Sequence, residues 1–299
     1  MTQLEYAYFP GCSAGSTGIA YTKSTDFVGE KIGLQMHEIS QWCCCGTSAA
    51  KLTDADLTYA LPARSLAKGE QEYPGLDVIA PCTGCYTSLK TAVAWARESE
   101  DNRAHVSDLI GMDYQANADV KSLLEVMVEP EVTQLVVENL SRTLGGMKLA
   151  CYYGCAQVRP VGLVNFENPE NPMAMERLLN AAGAECIDWA FKTECCGASN
   201  HITTPKASRK LVERILRNAQ ANGAEALVCA CPLCWLNLDL RESQINREFN
   251  TNYHIPVFYF TELLALAMGA DAKQAGLDHH VEPCADYVAS KLEGVSVDE

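Results

Sequence analysis

The sequence has little positive charge. Lys and Arg number 23 against 38 Asp and Glu, which gives a formal net charge of −15 at pH 7. Nucleic-acid binding depends on clustered Lys and Arg that neutralise phosphates, so this balance argues against a nucleic-acid partner. Anionic membrane surfaces are disfavoured for the same reason. The acidity is typical of a soluble protein surface, and it would also help to orient a redox partner.

Long apolar segments are missing as well. The apolar stretch at 257–270 is interrupted by Thr261 and Glu262, and it is shorter than the ~20 residues that a bilayer-spanning helix needs. The first residues, Met1 to Glu5, lack the cationic lead-in and apolar core of a secretory signal. We therefore expect a cytoplasmic protein, with any membrane association made through partner proteins.

Cysteine, in contrast, is abundant, with 15 among 299 residues. An odd number of cysteines in a long chain without a signal does not fit a disulfide framework, which suits small secreted domains. Thiolates are soft ligands that suit iron–sulfur clusters and zinc. The composition therefore favours metal binding in a reducing compartment.

The cysteine motifs occur in the same order twice. Each half carries a lone cysteine, then a Cys-Cys-Gly, then a Cys-x-x-Cys, and the spacing between the motifs changes while their order is kept. The residues before the lone cysteine repeat too, as Phe9-Pro10-Gly11-Cys12 and Tyr152-Tyr153-Gly154-Cys155. This pattern indicates a duplication. We predict two cysteine-rich domains, 1–146 with a helical linker and 147–299, divided at Gly145-Gly146.

Strand-like and helix-like segments alternate in both halves. Apolar runs at 4–9, 76–80, 147–153 and 226–230 predict buried strands, and the segments 18–33, 48–68, 172–182 and 205–222 predict helices. This alternation predicts an α/β fold of two pseudo-symmetric halves with small parallel sheets. Each cysteine motif follows a predicted strand, so we expect the cluster sites at the carboxyl ends of the strands. The joining segment, 98–146, is predicted to be mainly helical.

The adjacent cysteines indicate the size of the ligand. A Cys-x-x-Cys loop lets two sulfurs converge on one metal or cluster, whereas neighbouring cysteines do not easily point at one small ion. The Cys-Cys pair therefore favours a ligand larger than a single atom, and the nearby glycines permit close approach of the backbone to it. Zinc in one half, a redox dithiol and a packing role are the alternatives.

These motifs resemble the B subunit of heterodisulfide reductase over nearly the whole chain. The resemblance includes the segments 261–264 and 276–280. In that family each five-cysteine set binds a non-cubane 4Fe-4S cluster, and the two clusters flank a cavity where a disulfide is split by one-electron steps. A small ferredoxin-like iron–sulfur subunit supplies the electrons and is itself fed by a flavoprotein subunit. The resemblance implies the same cofactors and kinds of partner here.

Carried over motif by motif, the resemblance implies two sets of cluster ligands. The first set is Cys12, Cys44, Cys45, Cys82 and Cys85, and the second is Cys155, Cys195, Cys196, Cys231 and Cys234. Cys43 adjoins the first pair and is an alternative ligand in register. The remaining cysteines, Cys151, Cys186, Cys229 and Cys284, are expected in the core or beside the sites, because free cysteine often behaves as a small buried hydrophobe.

One position departs from the family pattern. Methanogen members place a histidine directly after the lone cysteine of the second half, where this chain has Ala156. The departure argues against the methanogenic coenzyme disulfide and favours the bacterial relatives, whose substrates include other thiols, sulfur carriers and quinone-linked acceptors. We predict an oxidoreductase subunit that acts on a thiol/disulfide couple. The alternatives are an electron-transfer subunit linking a succinate- or lactate-type dehydrogenase to quinone, and a zinc-stabilised binding module.

Other polar and aromatic residues near the motifs are candidates for supporting roles. His201 follows the second Cys-Cys-Gly and is a candidate proton donor, or else a solvated loop residue. Arg159 is a candidate for holding an anionic substrate group, or else forms a surface salt bridge. The sequence alone does not indicate whether His279 and His280 lie near a site. Three tryptophans adjoin the motifs and are predicted to shield the clusters from water: Trp42, Trp189 and Trp235.

Overall fold

The structure, a computed structural model, describes residues 4–47, 49–281 and 284–292. Its strands are β1 (Glu5–Tyr8), β2 (Gln35–Glu38), β3 (Val78–Ala80), β4 (Val120–Ser122), β5 (Lys148–Tyr152), β6 (Glu185–Cys186), β7 (Ala226–Cys229) and β8 (Val257–Tyr259). They form two four-stranded sheets, ordered β2-β1-β3-β4 and β6-β5-β7-β8. Every strand pair is parallel. The predicted α/β fold with two related parallel sheets is therefore confirmed.

Helices connect the strands and cover the sheets. In the first half they are α1 (Ile19–Ile32), α2 (Ala50–Thr53), α3 (Leu57–Glu72), α4 (Thr83–Glu98), α5 (Glu100–Ile110), α6 (Leu123–Met127) and α7 (Pro130–Glu138). In the second they are α8 (Ala174–Ala181), α9 (Pro205–Ala221), α10 (Pro232–Leu238), α11 (Glu242–Phe249), α12 (Phe260–Ala267), α13 (Ala272–Ala275) and α14 (Ala285–Lys291). None of the described helices is long and apolar enough to cross a bilayer.

The four predicted strands are the two central strands of each sheet: β1 and β3, β5 and β7. All four are largely or completely buried, which is why they read as apolar runs. The joining segment is less helical than predicted, because it contains β4 as well as α5, α6 and α7. The predicted helix at 48–68 is divided into α2 and α3 at Asp54, whose backbone is extended.

The last strand of each sheet turns into a helix in the same way. Ser122 ends β4, and its hydroxyl accepts the backbone N–H of Glu125 while the Glu125 carboxylate accepts the N–H of Ser122. In the second half the Glu262 carboxylate accepts the N–H of Tyr259 at 2.7 Å. The bonds in the first half are reciprocal, whereas the second half has the carboxylate bond, and in both halves they satisfy amide groups at the start of the helix. They fix equivalent corners in the two halves.

The two halves interlock through these corners. The Tyr21 ring of α1 stacks on Tyr259 with 4.4 Å between ring centroids, and the hydroxyls of Ser24 and Thr261 are 2.7 Å apart. In the other direction, buried Gln157 donates from Nε2 to the Ser122 hydroxyl at 2.8 Å. Each half therefore sends the segment after its lone cysteine against a corner of the other. The domain boundary at 146/147 stays a prediction, although the strands of the two sheets fall on either side of it.

Candidate metal centres

The three cysteine motifs of each half lie at the carboxyl ends of neighbouring strands. In the first half the lone cysteine follows β1, the Cys-Cys-Gly follows β2, and the Cys-x-x-Cys joins β3 to α4. The second half repeats this arrangement on β5, β6 and the β7–α10 connection. Since parallel strands end at the same edge of a sheet, the motifs are brought to one place by topology.

The ten cysteines have the same pattern of burial in both halves. The lone cysteine and the first cysteine of the pair are exposed in each half: Cys12 and Cys44, Cys155 and Cys195. The other three are buried: Cys45, Cys82 and Cys85, Cys196, Cys231 and Cys234. Each set therefore has a buried face of three thiols and an open face of two.

Within each set the thiols contact one another in pairs. The sulfurs of Cys45 and Cys85 are 3.2 Å apart, and those of the equivalent Cys196 and Cys234 are 3.7 Å apart. The exposed thiols also pair, because Cys44 is hydrogen-bonded to Cys12. Cys195 is hydrogen-bonded to Cys155 in the same way. The duplication has preserved these contacts as well as the motifs.

A glycine before each lone cysteine allows this close grouping. Gly11 has φ +74° and Gly154 has φ +65°, a left-handed conformation that other residues rarely adopt. A Cβ atom added to Gly11 would lie 3.1 Å from the Cys85 sulfur, and one added to Gly154 would lie 3.1 Å from the Cys234 sulfur. The backbone thus approaches a buried thiol at the same point in both halves.

Hydrogen bonds among the thiols favour the thiolate form of particular cysteines. The pKa of Cys45 is lowered to about 7, chiefly by a hydrogen bond from the Cys85 thiol. The pKa of Cys195 is lowered to about 6 by a hydrogen bond from Cys155, with a further contribution from the N–H of Gly197. Thiolates are the metal-binding form of cysteine. The thiolate form is therefore favoured at one or more cysteines of each set.

The two sets meet at the first cysteines of the Cys-x-x-Cys motifs. The Cys82 and Cys231 thiols are hydrogen-bonded to each other across the interface between the halves. Hydrogen bonds from Cys234 and Cys82 hold the pKa of Cys231 well below its usual value. The two cysteine sets are therefore adjacent, and Cys82 and Cys231 are the cysteines at which they meet.

The second set borders a small cavity of about 100 Å³ at this interface. Its walls include Cys155, Ala156 and Cys195 of the second half. The opposite wall comes from the first half, through Thr47, Thr83, Gly84 and Thr87. The position at which the methanogen pattern has histidine thus faces a cavity between the halves.

The first set borders a larger and more open groove of about 570 Å³. Cys12 is the one cysteine of its set among the lining residues, which also include Tyr8 and Trp42. The acidic side chains Glu38 and Asp26 line the same groove. The surroundings of the two sets therefore differ in size and in charge.

A buried ion pair lies behind the second set. Lys192 and Glu176 have side chains exposed to only 3% and 2%, and their charged atoms are 2.8 Å apart. Tyr153 donates to the other Glu176 oxygen, and the Lys192 carbonyl accepts the N–H groups of Tyr153 and Gly154. The pair thus anchors the turn that carries Cys155. Sequence reasoning missed it, because Lys and Glu are rarely buried and no pattern marked them.

The two predicted catalytic residues have local partners. Arg159 donates to the Glu170 carboxylate at 2.7 Å and to the carbonyl of Thr193 at 3.3 Å. This contact joins the Cys155 loop to the segment before Cys195. His201 is half-buried and its ring contacts the carbonyl of Ala198. Their catalytic roles stay predictions.

The other candidates occupy several environments. Trp189 and Trp235 are buried, and Trp42 lines the groove beside Cys12. His280 is buried in an ion pair with Glu262 at 2.7 Å. Cys43 contacts the carbonyl of Leu61, while Cys151, Cys229 and Cys284 are buried.

The donor groups fit an iron–sulfur cluster. Each set offers five thiols at the ends of neighbouring strands, several of them in contact in pairs, and soft thiolates are the ligands that such clusters require. The glycine approach to a buried sulfur leaves a cradle that a side chain would fill. Among the described residues no group of three or more His, Cys, Asp or Glu side chains is arranged to hold a single metal ion.

Comparison with known proteins finds two matches to the cysteine-rich domain family (CCG), at residues 6–90 and 149–239. The chain is similar to the 8-methylmenaquinol:fumarate reductase membrane anchor subunit of Wolinella succinogenes, with 31% identity covering 93% of this chain and 97% of the relative. It is also similar to the B subunit of the ferredoxin/F(420)H(2)-dependent CoB-CoM heterodisulfide reductase of Methanosarcina acetivorans, with 27% identity covering 95% and 96%.

Among solved structures, the chain resembles that of a hypothetical protein from Helicobacter pylori with a TM-score of 0.72. The sequence identity is 12%, and the match covers 94% of this chain and 52% of that one. At this identity the likeness concerns the fold alone.

Proposed function

The chain belongs to the cysteine-rich domain family and has the B subunit of heterodisulfide reductase among its relatives, and on that premise we propose that it is the electron-transferring subunit of an oxidoreductase complex with two iron–sulfur clusters. The observation that carries the proposal is the grouping of five thiols at equivalent positions in each half, with the two groups adjacent at Cys82 and Cys231. A bound iron–sulfur cluster accepts and donates single electrons.

We assign one non-cubane 4Fe-4S cluster to each cysteine set, with the ligands that the resemblance implies. The first is held by Cys12, Cys44, Cys45, Cys82 and Cys85, and the second by Cys155, Cys195, Cys196, Cys231 and Cys234. The buried thiols of each set exclude water, and the two exposed thiols leave one face accessible. Burial and hydrogen bonds to sulfur are the means by which a protein sets the potential of such a group.

The substrate that this geometry favours is a thiol/disulfide couple at the cavity between the halves. The cavity of about 100 Å³ has room for a small group beside Cys155, and the small side chain of Ala156 leaves that space free. Three threonines of the first half face the same space and supply hydroxyl groups for hydrogen bonds. Arg159 and His201 are the candidates for binding an anionic substituent and for donating a proton.

A second candidate function is electron transfer between a dehydrogenase and quinone. The relative named as a menaquinol:fumarate reductase subunit favours it, because it is 31% identical over almost its whole length. In either role the chain acts within a complex, and we propose two partners, a ferredoxin-like iron–sulfur subunit and a flavoprotein subunit. Association with a membrane, where it occurs, would then be made through such partners.

Metal analysis tests the cluster assignment. The chain is purified anaerobically or reconstituted with iron and sulfide, and iron, acid-labile sulfide and zinc are measured per chain. We expect close to eight irons for two four-iron clusters. Near-stoichiometric zinc with negligible iron would support the zinc-stabilised module and overturn the proposal.

Substrate assays on the native complex separate the two functions. The anaerobically isolated complex is reduced, and its reoxidation is followed with an asymmetric small-molecule disulfide or with a water-soluble menaquinone analogue. The thiol/disulfide function predicts reoxidation by the disulfide and release of two thiols. Reoxidation by the quinone analogue alone would instead support the second candidate.

A further inference from the structure

A pair of cysteines outside the ten forms a second thiol site in the second half. Cys151 lies in β5 and Cys186 ends the edge strand β6, and their sulfurs are 3.7 Å apart. Leu149 pairs with Cys186 in the sheet, so Cys151, two residues further along β5, presents its side chain on the same face as Cys186. The two thiols thus face each other by the register of the sheet.

We propose that Cys151 and Cys186 are a dithiol that undergoes thiol–disulfide exchange with low-molecular-weight disulfides and closes to an intramolecular disulfide. The site is separate from the cluster ligands. It takes a substrate of the glutathione disulfide class, and its product is a covalent link between β5 and β6.

The difference in exposure between the two thiols sets the order of the steps. Cys186 is half-buried and reachable from solvent, whereas Cys151 is buried. The Cys186 thiolate attacks one sulfur of the disulfide RSSR, forming a mixed disulfide and releasing RS⁻, which takes up a proton. The Cys151 thiol then loses its proton as its sulfur attacks the Cys186 sulfur, and the second RS⁻ is expelled and takes up a proton. Two cysteines are oxidised, and one disulfide is reduced to two thiols.

The geometry requires a small movement at the edge of the sheet. A disulfide has a sulfur–sulfur length of about 2.05 Å, so the observed 3.7 Å must shorten. β6 is two residues long and pairs on one side only. The side chain of Asn180 accepts the N–H of Cys186 at 2.9 Å and restrains the thiol from the adjoining helix. An edge strand of this length can approach β5 without disturbing the central strands.

The position of the pair links it to the second cysteine set. The segment after β6 runs beside β5, and the Trp189 indole donates to the Cys151 carbonyl at 3.0 Å. Further along, Tyr153 donates to the Lys192 carbonyl at 2.8 Å, and beyond them Cys155 and Cys195 are hydrogen-bonded. The dithiol and the exposed ligand pair therefore connect the same two segments at different points along them.

The first half supplies an internal comparison. Tyr8 stands four residues before Cys12, as Cys151 stands before Cys155, and Met36 pairs with Tyr6 as Cys186 pairs with Leu149. Tyr8 and Met36 therefore occupy the positions equivalent to the two thiols. A thiol-specific response is expected in the second half and not at these positions.

Peptide mapping of the cluster-loaded chain tests the proposal. The chain is incubated anaerobically with oxidised glutathione, free thiols are blocked with a maleimide, and a tryptic digest is analysed by mass spectrometry. We expect a peptide containing residue 151 linked to the peptide containing residue 186, with unchanged iron per chain. Since Cys151 and Cys155 share one tryptic peptide, fragment ions must assign the linked sulfur to Cys151.

Variants and two contrary results complete the test. Cys186→Ser should abolish the linked peptide, and Cys284→Ser, which alters a buried thiol outside both cysteine sets, should leave it unchanged. Cys151→Ala should leave Cys186 as a stable mixed disulfide with glutathione. The proposal is overturned if wild-type Cys186 stops at the mixed disulfide, or if both thiols remain free for the maleimide. The wild-type measurement decides the matter even if a variant folds poorly.

Discussion

The two halves of the molecule have the same arrangement of cysteines in different surroundings. The buried and exposed thiols, the sulfur contacts and the glycine before the lone cysteine recur in each. The first set opens onto a groove of about 570 Å³ with acidic walls. The second borders about 100 Å³ closed partly by the first half, with a buried ion pair behind it.

This comparison separates what the strands determine from what the loops determine. The carboxyl ends of parallel strands bring three motifs together, and duplication of the sheet duplicates the ligand set. The loops after the lone cysteine differ, because the first half places α1 soon after Cys12 while the second has an extended connection before α8. Two iron–sulfur clusters of the same type would therefore experience different electric fields and different solvent access. Both of these shift the redox potential.

Loss of one buried ligand is the change with the largest expected effect. Cys45→Ser and its counterpart Cys196→Ser should each remove the electron paramagnetic resonance signal and the iron of one set, about half of the total, because the sets supply separate thiols. The two variants serve as controls for each other. Equal loss of signal from both sets in either variant would contradict independent sites.

The buried ion pair distinguishes the second half and is expected to have the next largest effect. Lys192→Met leaves the Glu176 carboxylate buried without its cation, which should lower the free energy of unfolding by about 3–5 kcal/mol. Urea titration followed by circular dichroism measures the loss.

The double variant Lys192→Met/Glu176→Leu is the matched control and should recover much of the lost stability. In the first half, Gln41 stands three residues before Cys44, as Lys192 stands before Cys195, and it is exposed. Gln41→Met should therefore leave stability nearly unchanged. A cost below ~1 kcal/mol for Lys192→Met, typical of an exposed pair, would contradict this account.

Substitution of the glycine before the lone cysteine should have the same effect in the two halves. Gly11→Ala and Gly154→Ala each force a left-handed conformation that costs roughly 1–2 kcal/mol, and each adds a Cβ 3.1 Å from a buried sulfur. We expect lower stability together with reduced iron in one set. Gly223→Ala is the control, since Gly223 has φ +80° and nothing within 4 Å of an added Cβ. It should lose stability and retain full iron.

The smallest effect on stability is expected at Arg159. Arg159→Ala removes a partly exposed ion pair with Glu170, a contact worth about 0.2–1 kcal/mol. If Arg159 also binds substrate, turnover with an anionic disulfide should fall through a higher KM. Arg177→Ala, which removes the pair with Glu167, is the control and should leave KM unchanged. Equal KM values for both variants would show that Arg159 does not bind substrate and forms only a surface ion pair.

The sequence was sufficient to predict the centre of each sheet but not its edges. β1, β3, β5 and β7 are buried apolar runs with a clear signal. β2 is polar and partly exposed, β6 has two residues, and β4 and β8 have three each. β3 is equally short, but it lies in an apolar run, whereas β2 and β4 are more polar and β8 continues directly into the apolar helix α12. These edge strands form because a central strand offers them hydrogen bonds.

The candidate site was predictable where a repeated motif marked it. The repeated order of the cysteine and glycine motifs predicted that each half brings its cysteines to one edge of a sheet, and the structure has them there; their role as cluster ligands stays a prediction. The proximity of Cys82 and Cys231 and the three threonines that line the cavity depend on how the halves pack together. The burial of Lys192 depends on packing within the second half. No local pattern encodes such packing, so these features required the structure.

The contact between Cys82 and Cys231 has a consequence for both cysteine sets. Cys82 and Cys231 are counterparts in the two halves, and each shifts the pKa of the other. A substitution at either one therefore alters the surroundings of both cysteine sets, although it lies in the sequence of only one half.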